Sequence, residues 1–537
     1  MTSETQPIRA GWTSSRLVLA VTKHPVGFWA ALIVVFALAR LATWGYPFDS
    51  DHWIFYYVGH NWIVDGGDLY VDAWDHKPPM IFLMNGIMAA LLGDSIVLHR
   101  IWLTAFAILE CWLFYLLAKR VLPGMLDRAD AADASRAADR PGSRTARIID
   151  REVAVKLTLL AYVFFRNLSQ FTDSGNNTEG YGVILVLLLV LAYLKFADTG
   201  RLHWLALAGL SCGVLFWFKG NFLIFGGIIG LLLLIHGWRT RGRAGGRLIL
   251  QVVVYVAPIV LVALAWFAYF AARGTFDDFW LASFGFSALY ATSAWAGKVS
   301  ANILLIVTTA ALMVPALILF VVYLRDIRAQ WKSQSYQLVG AMFLAGYVLI
   351  GLVGSFYPYY LLITMPFTVL VMIFAMLRVS SLGKVWRVIL IAGLVFTLVA
   401  NYAISTRQLL NNFTGSAAVD AQQKMAAAEY IQEHTEPEER ILSYDYGATF
   451  YQLAQRKAPS RFVSASVLLL DFRDGFGLGF NDEVIAGMEA HGVRYVMLSG
   501  INRELYETNT QMSDYLAEHF RTAETFGDVE VLERVDE

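Results

Sequence analysis

Long apolar runs separated by short charged clusters fill the chain as far as about residue 416, after which the pattern turns polar. With about 20 residues taken as one membrane crossing, runs long enough to span fall near 26–44, 98–118, 153–171, 179–197, 203–218, 220–238, 248–272, 300–324, 337–354, 358–378 and 386–406. The pattern therefore predicts eleven transmembrane helices. The run 80–93 is shorter: as a helix it rises only about 21 Å against a hydrocarbon core of roughly 30 Å, so it is assigned to the interface. The first run, Phe28 to Thr43, follows Arg9, Arg16 and Lys23 as in the charged flank of a signal peptide. No small-residue cleavage site follows, so it is read as an uncleaved helix behind a cytoplasmic tail, residues 1–25.

The positions of Lys and Arg set the expected orientation. With 80–93 kept outside, the basic clusters in 119–151, 239–247, 325–332 and 378–387 all fall on the cytoplasmic side, as the positive-inside rule requires. Counting 80–93 as a span inverts everything after it. The membrane module is then 26–410, with a first outer loop at 45–97 and a cytoplasmic loop at 119–152. Residues 124–150, rich in Ala, Asp, Arg and Ser, have the low hydrophobicity of a flexible segment.

Beyond residue 411 the period changes. Ala421–Gln432, Asp482–Ala490 and Met512–Phe520 read as helices, and Ile441–Tyr444, Val493–Leu498 and Val529–Leu532 as strands. This alternation predicts a small α/β domain over 411–537 on the outer face. No glycine-rich phosphate loop or nucleophile elbow occurs in it, and a lid or docking role is the plain expectation.

Composition agrees with a polytopic membrane protein: 57% of residues are hydrophobic and 16% charged, against about 25% charged in soluble proteins. The net charge of −1 and the scatter of basic residues between apolar runs argue against nucleic acid as a partner. Cys111 and Cys212 both lie in apolar runs, so no disulfide framework or thiolate metal cluster is expected.

The densest polar chemistry of the apolar region is the first outer loop. Asp49, Asp51, Asp65, Asp68, Asp72, Asp75, His76 and Lys77 alternate there with Trp and Tyr, a mixture suited to the boundary between bilayer and water. Helical periodicity puts Phe55 and Val58 on the face of Asp51, and a carboxylate against an apolar wall gains basicity unless a cation cancels the effect. Asp49, Ser50 and Asp51 also qualify as helix caps. In Trp74-Asp75-His76-Lys77-Pro78-Pro79 the prolines hold Lys77 at headgroup depth, where its ammonium can meet a lipid phosphate or simply snorkel.

These residues carry a resemblance. Asp51-x3-Phe55-x-Tyr57-Val58-Gly59, followed by Gly66-Gly67-x2-Tyr70-x3-Trp74-Asp75-x-Lys77-Pro78-Pro79, resembles the first outer loop of GT-C glycosyltransferases of the protein mannosyltransferase type, a superfamily that includes the lipid A aminoarabinose transferases. Arg100, Asn176-x-Thr178-Glu179, Lys219 and Tyr357-Pro358-Tyr359-Tyr360 before Pro366 continue it. The resemblance implies a GT-C fold and transfer, typically with inversion, of a sugar from a polyprenyl-phosphate donor to a glycan, lipid or protein acceptor at the outer face of the plasma (inner) membrane.

By the same resemblance Asp51 is the general base. Lys77, Arg100 and Lys219 are expected either to meet the donor phosphate or to form ion pairs with Asp75 or Glu179. Asp49, Asp75, His76, Glu179, Tyr359 and Tyr360 are further candidates for substrate contacts, the tyrosines equally explained as an interfacial belt. His52 stands where many members carry Glu, which puts the role of that Glu in doubt here. Asp51, Asp173 and Glu179 together offer oxygens that suit a hard metal. Their placement on separate loops is a weak signature, relatives are thought to need no metal, and no cofactor is expected. A lipid-linked-sugar transporter or flippase is the rival reading, but no internal repeat with broken helices is visible.

Overall fold

The computed structural model describes residues 22–44, 50–138, 150–173, 175–239, 245–292, 303–353, 356–378, 384–473, 475–499 and 503–535. The described chain opens with α1 (Pro25–Trp44), followed by α2 (Ser50–Ile63), α3 (Pro79–Leu92), the long α4 (Ile96–Ala138), α5 (Arg151–Asn167) and the single turn α6 (Ser169–Thr172). Next come α7 (Thr178–Thr199), α8 (Leu202–Phe216), α9 (Leu223–Arg239) and α10 (Gly245–Arg273). Then α11 (Phe276–Trp280), a π-helical turn (Leu281–Gly285) and α12 (Phe286–Thr292) lead to α13 (Ile303–Leu324), α14 (Ile327–Gln330) and α15 (Gln334–Val353). A 3-10 turn (Pro358–Thr364), α16 (Met365–Arg378) and α17 (Lys384–Thr414) complete the apolar part.

Among the described residues, nine helices are long and apolar enough to cross a membrane. The two expected runs outside that set are α8, with 15 residues, and 153–171, which breaks at Leu168 into α5 and α6 and carries Lys156 and Arg166.

The first outer loop is a helical hairpin. Pro78 and Pro79 start α3, since proline supplies a helical φ and needs no hydrogen bond at the first turn. Gly93, at φ 58°, ends it. The hairpin closes through two glycines: a Cβ on Gly59 would lie 2.6 Å from the Gly86 nitrogen, and one on Gly86 would lie 2.6 Å from the Gly59 carbonyl. Only backbones without side chains approach so closely. The hairpin then docks on the connections after α6 and α8, with Met80 N donating to the Trp217 carbonyl and Asn85 bonded to Asn176.

Segments assigned to the cytoplasmic side meet at the other end of the helices. Arg120 donates to Asp198 at 3.0 Å, Arg151 reaches Asp130 at 2.8 Å, and Arg378 pairs with Asp326 at 3.0 Å and Asp133 at 2.7 Å. This cluster corrects one expectation. Of residues 124–150, expected to be a flexible loop, 124–138 continue α4, and 139–149 lie outside the described residues. Asp127, Asp130 and Asp133 recur every three residues and so fall on one helical face, where Arg151 and Arg378 neutralise them. Low hydrophobicity here reflects ion pairing.

The polar region forms α18 (Ser416–His434), β1 (Leu442–Tyr444), α19 (Thr449–Ala454), α20 (Ala465–Arg473), α21 (Phe480–Ala490), β2 (Tyr495–Ser499), α22 (Arg503–Thr508), α23 (Thr510–His519), β3 (Phe520–Phe526) and β4 (Val529–Arg534). The sheet order is β1-β2-β4-β3, with β1 parallel to β2 and the other pairs antiparallel. Sequence periodicity misses β3, an edge strand whose Arg521, Thr522 and Glu524 are exposed, because it has no buried face to alternate against. This domain does not stand apart. Trp53, Trp74 and Phe82 of the outer loop, Trp217 and Phe286 of the bundle, and Phe462 and Phe480 of the α/β region belong to one continuous apolar core.

Cysteine labelling tests the orientation. With the native Cys111 and Cys212 buried, cysteines at the exposed positions Val71 and Thr510 should react with an impermeant thiol reagent added outside cells, and one at exposed Arg128 should not. Labelling at Arg128 with protection at Val71 would invert the topology.

Candidate active site

The Tyr70–Pro79 turn is held from three directions. Tyr70 adopts φ 72°, a left-handed backbone that costs a non-glycine residue about 1 kcal/mol or more. Its N–H donates to the Ala73 carbonyl, and its buried hydroxyl donates to the Lys77 carbonyl at 2.8 Å. Arg461 of the α/β domain donates to the Tyr70 carbonyl at 3.1 Å and to Asp278 at 2.6 Å, and Trp74 N donates to the Arg461 carbonyl. The Trp74 ring packs edge-on against Phe286, Phe462 and Phe480.

This scaffold presents Asp75, His76 and Lys77 to a cavity of about 2330 Å³, well above the roughly 300–1,000 Å³ of common small-molecule sites. Asp51, in the first turn of α2, lines the same cavity beside Ile54 and Phe55. Asp75 is almost fully buried; burial opposes its ionisation, but Lys77 and His76 outweigh that and hold the carboxyl well below the usual range. Asp75 is therefore a fixed anion and a poor base. Burial, reinforced by Lys77, pushes the His76 imidazole down, so it is neutral at pH 7.

The second cation comes from the bundle. Glu179 occupies the first turn of α7, where the helix dipole favours an anion, behind an Asn177 cap that accepts from Gly180 N at 2.7 Å. Lys219 reaches Glu179 at 2.8 Å and lies 3.9 Å from the centre of the Tyr360 ring, a cation–π contact. Tyr359, packed edge-on to Tyr360, lies within electrostatic reach of both Asp51 and Glu179. Lys77, Lys219, Asp51, Asp75, His76, Glu179, Tyr359 and Tyr360 all line this one cavity.

Arg100 does not join them. It is 3% exposed and does not line the cavity. The convergence of three cations expected from sequence is thus a pair. His52 is also fully buried, receiving a hydrogen bond from Asn176 at 2.9 Å and tilted against the His99 ring. Burial first, then the nearby His99 and Arg100, push it well below its ordinary value, so it is a neutral core group. Asp49 lies outside the described residues. Among the described residues, no group of three His, Cys, Asp or Glu is placed to hold a metal, so Asp51, Asp173 and Glu179 do not form such a set.

Sequence reasoning missed the far wall. Along α17, Phe396, Ala400 and Ile404 face the cavity and give way to Arg407, Gln408 and Asn411. The spacing of three and four carries a signal: the stripe continues past the end of the apolar run at 406. Arg473 and Tyr446 of the α/β domain also line the cavity and left no such pattern.

No family model matches the sequence, and no curated protein is matched by it. Solved structures are. ArnT from Cupriavidus metallidurans bound to undecaprenyl phosphate aligns over 96% of this chain and 98% of its own, with 14% identity and a TM-score of 0.60. The apo state of the same protein covers the same shares with a TM-score of 0.56. The chain has the ArnT fold. The expected plan, a module of apolar helices followed by a small C-terminal α/β domain, is the plan of this fold. AglB from Archaeoglobus fulgidus, solved with an inhibitory peptide and a dolichol-phosphate, aligns more loosely, at 12% identity and a TM-score of 0.49 over 98% of this chain and 75% of its own.

The Lys219–Glu179 pair offers a stability test. Lys219→Met leaves Glu179, whose side chain is 2% exposed, without its cation, and should cost about 1.5–3 kcal/mol, read as a lower unfolding midpoint of the purified protein. Adding Glu179→Gln should recover part of the loss, because the buried charge is then gone.

Proposed function

We propose that this protein is an integral-membrane inverting glycosyltransferase that moves a sugar, a hexose or pentose, from a polyprenyl-phosphate donor to a hydroxyl of a glycan, lipid or protein acceptor. Its place is the plasma (inner) membrane, with the N-terminus cytoplasmic and the α/β domain outside. The observation that carries this reading is a single cavity that has a carboxylate, two ammonium groups and an apolar flank.

The division of labour follows from chemistry. The acceptor oxygen attacks the anomeric carbon while Asp51 takes its proton, and the bond from that carbon to the phosphate oxygen breaks on the opposite face. The departing polyprenyl phosphate keeps the electron pair, and Lys77 and Lys219 meet the charge as it grows. Asp75 is too acidic to compete as base. Phe396, Ala400 and Ile404 of α17, with Leu349 and Leu352 of α15, supply an apolar wall along which a polyprenyl chain can lie. Polar groups that share one cavity with an apolar wall suit a reaction held in place better than passage of a sugar through the bilayer, which needs polar groups along a path.

Incubating the purified full-length protein with polyprenyl-phosphate sugars and measuring release of polyprenyl phosphate tests the activity. Asp51→Asn should lower turnover by about 100- to 10,000-fold with donor binding retained; turnover above about a tenth of the wild-type value would move the base elsewhere. Lys77→Ala and Lys219→Ala should each weaken donor affinity by about ten- to a hundredfold. Arg100→Ala should act on stability ahead of donor affinity, because Arg100 does not line the cavity.

A further inference from the structure

The contacts around His76 point to a role that neither the motif nor the fold assigns. Lys77 Nζ lies 2.9 Å from His76 Nε2, and His76 Nδ1 lies 3.0 Å from Asp75 Oδ1. An ammonium has only protons to give, so Nε2 must be the bare nitrogen that accepts. The ring proton then sits on Nδ1, whose 3.0 Å approach to Asp75 Oδ1 is an electrostatic contact without the alignment of a hydrogen bond. Each contact dictates the other. Asp75 also lies 3.8 Å from Lys77 Nζ, so the three side chains form a closed triangle on one turn.

We propose that Asp75, His76 and Lys77 form a positioning relay in which the neutral His76 ring, oriented by Asp75, aims the Lys77 ammonium at the donor phosphate and releases it when the ring is protonated. The inference rests on the donor reading above. Three further observations support it. The triangle faces the cavity, with the His76 ring backed by Phe286 at 5.4 Å. The Lys77 carbonyl is fixed by Tyr70, so the backbone cannot follow a displaced side chain. Charges facing His76 are Asp75 and Lys77 on its own turn and Lys219 from the α8–α9 connection, the last already paired with Glu179. Asp75 alone favours a second proton on the ring, and both ammonium groups oppose it.

Protonation puts an N–H where Lys77 now donates, and two positive groups cannot share a contact of 2.9 Å. The ammonium must leave. Because burial depresses the imidazole, this happens as pH falls through a value below the ordinary 6.5, and the relay is intact above it.

Gln at position 76 separates this from other roles, since its carbonyl accepts from Lys77, its amide donates to Asp75, and neither titrates. The measurement is affinity of the full-length protein for undecaprenyl phosphate between pH 5 and 8. The probe's own second ionisation near pH ~6 cancels in the ratio of wild type to His76→Gln. Near-equal affinities at neutral pH are expected, with the wild type falling on the order of tenfold further than the variant at the acid end. His76→Ala should lose about tenfold at neutral pH, and nothing further in a Lys77→Ala background, because the ring acts only through that ammonium. Parallel pH curves for wild type and His76→Gln would overturn the relay, as would an undiminished His76→Ala loss in the Lys77→Ala background. Absence of undecaprenyl phosphate binding by the wild type at every pH would overturn the donor reading itself, and the relay with it.

Discussion

Placement of the Lys77 ammonium depends on Trp74. A charged group at the edge of a bilayer has many cheap conformations, because its long stem can snorkel to water in several directions. Here the residue three positions earlier is locked: the Trp74 backbone donates to Arg461, and its ring is enclosed by Phe286, Phe462 and Phe480. Burying a tryptophan removes about 150–250 Å² from water, enough to hold a short turn against thermal motion. Tyr70, spending its hydroxyl on the Lys77 carbonyl, closes the other side. A mobile loop thereby becomes a rigid mount for three polar side chains.

The same anchor explains why the α/β region is present at the site at all. Its contribution is less a separate lid than half of a core whose other half is the first outer loop. Arg461 binds Tyr70, Asp278 and Glu483 together, so it ties the loop, the α10–α12 segment and the α/β domain through one guanidinium. Bidentate and branched donation of this kind is what a planar fork does and a lysine cannot. Loosening the domain would loosen Lys77.

Electrostatics in the apolar part follows one rule throughout. Buried charges are met locally: Arg166 by Glu110, with Tyr162 donating to the same carboxylate, Lys219 by Glu179, Arg378 by three aspartates, and Arg40 by hydrogen bonds to Thr104 and Asn167. Desolvating an unpaired ion costs several kcal/mol, so such charges persist only where a carboxylate or hydrogen bonds offset that loss. At the cavity the rule has a chemical consequence. Asp75 and Glu179 hold two ammonium groups in place in a largely apolar setting, and Asp75, kept well below the usual carboxylate range by Lys77 and His76, is a poor base.

Much of this architecture was legible in one dimension. Apolar run length, the placement of Lys and Arg, and the Asp51 and Lys77 motifs are local properties, and they carried the membrane class, the overall plan of the fold and most of the residues that share the cavity. What they could not carry is rotation and register. Arg100 stands in the series of motif matches and His52 stands where the resemblance expects a Glu, yet both side chains are buried in the core, a placement that only packing decides. Residues 124–138 look disordered because their aspartates lack partners until Arg151 and Arg378, up to about 250 positions away, come alongside. Likewise Arg407 and Arg473 become cavity walls only when α17 and α20 meet the bundle. Sequence alone determined which segments are apolar and which chemistry is available. Only tertiary packing decided which polar groups face the same space, because that depends on contacts between segments far apart in the chain.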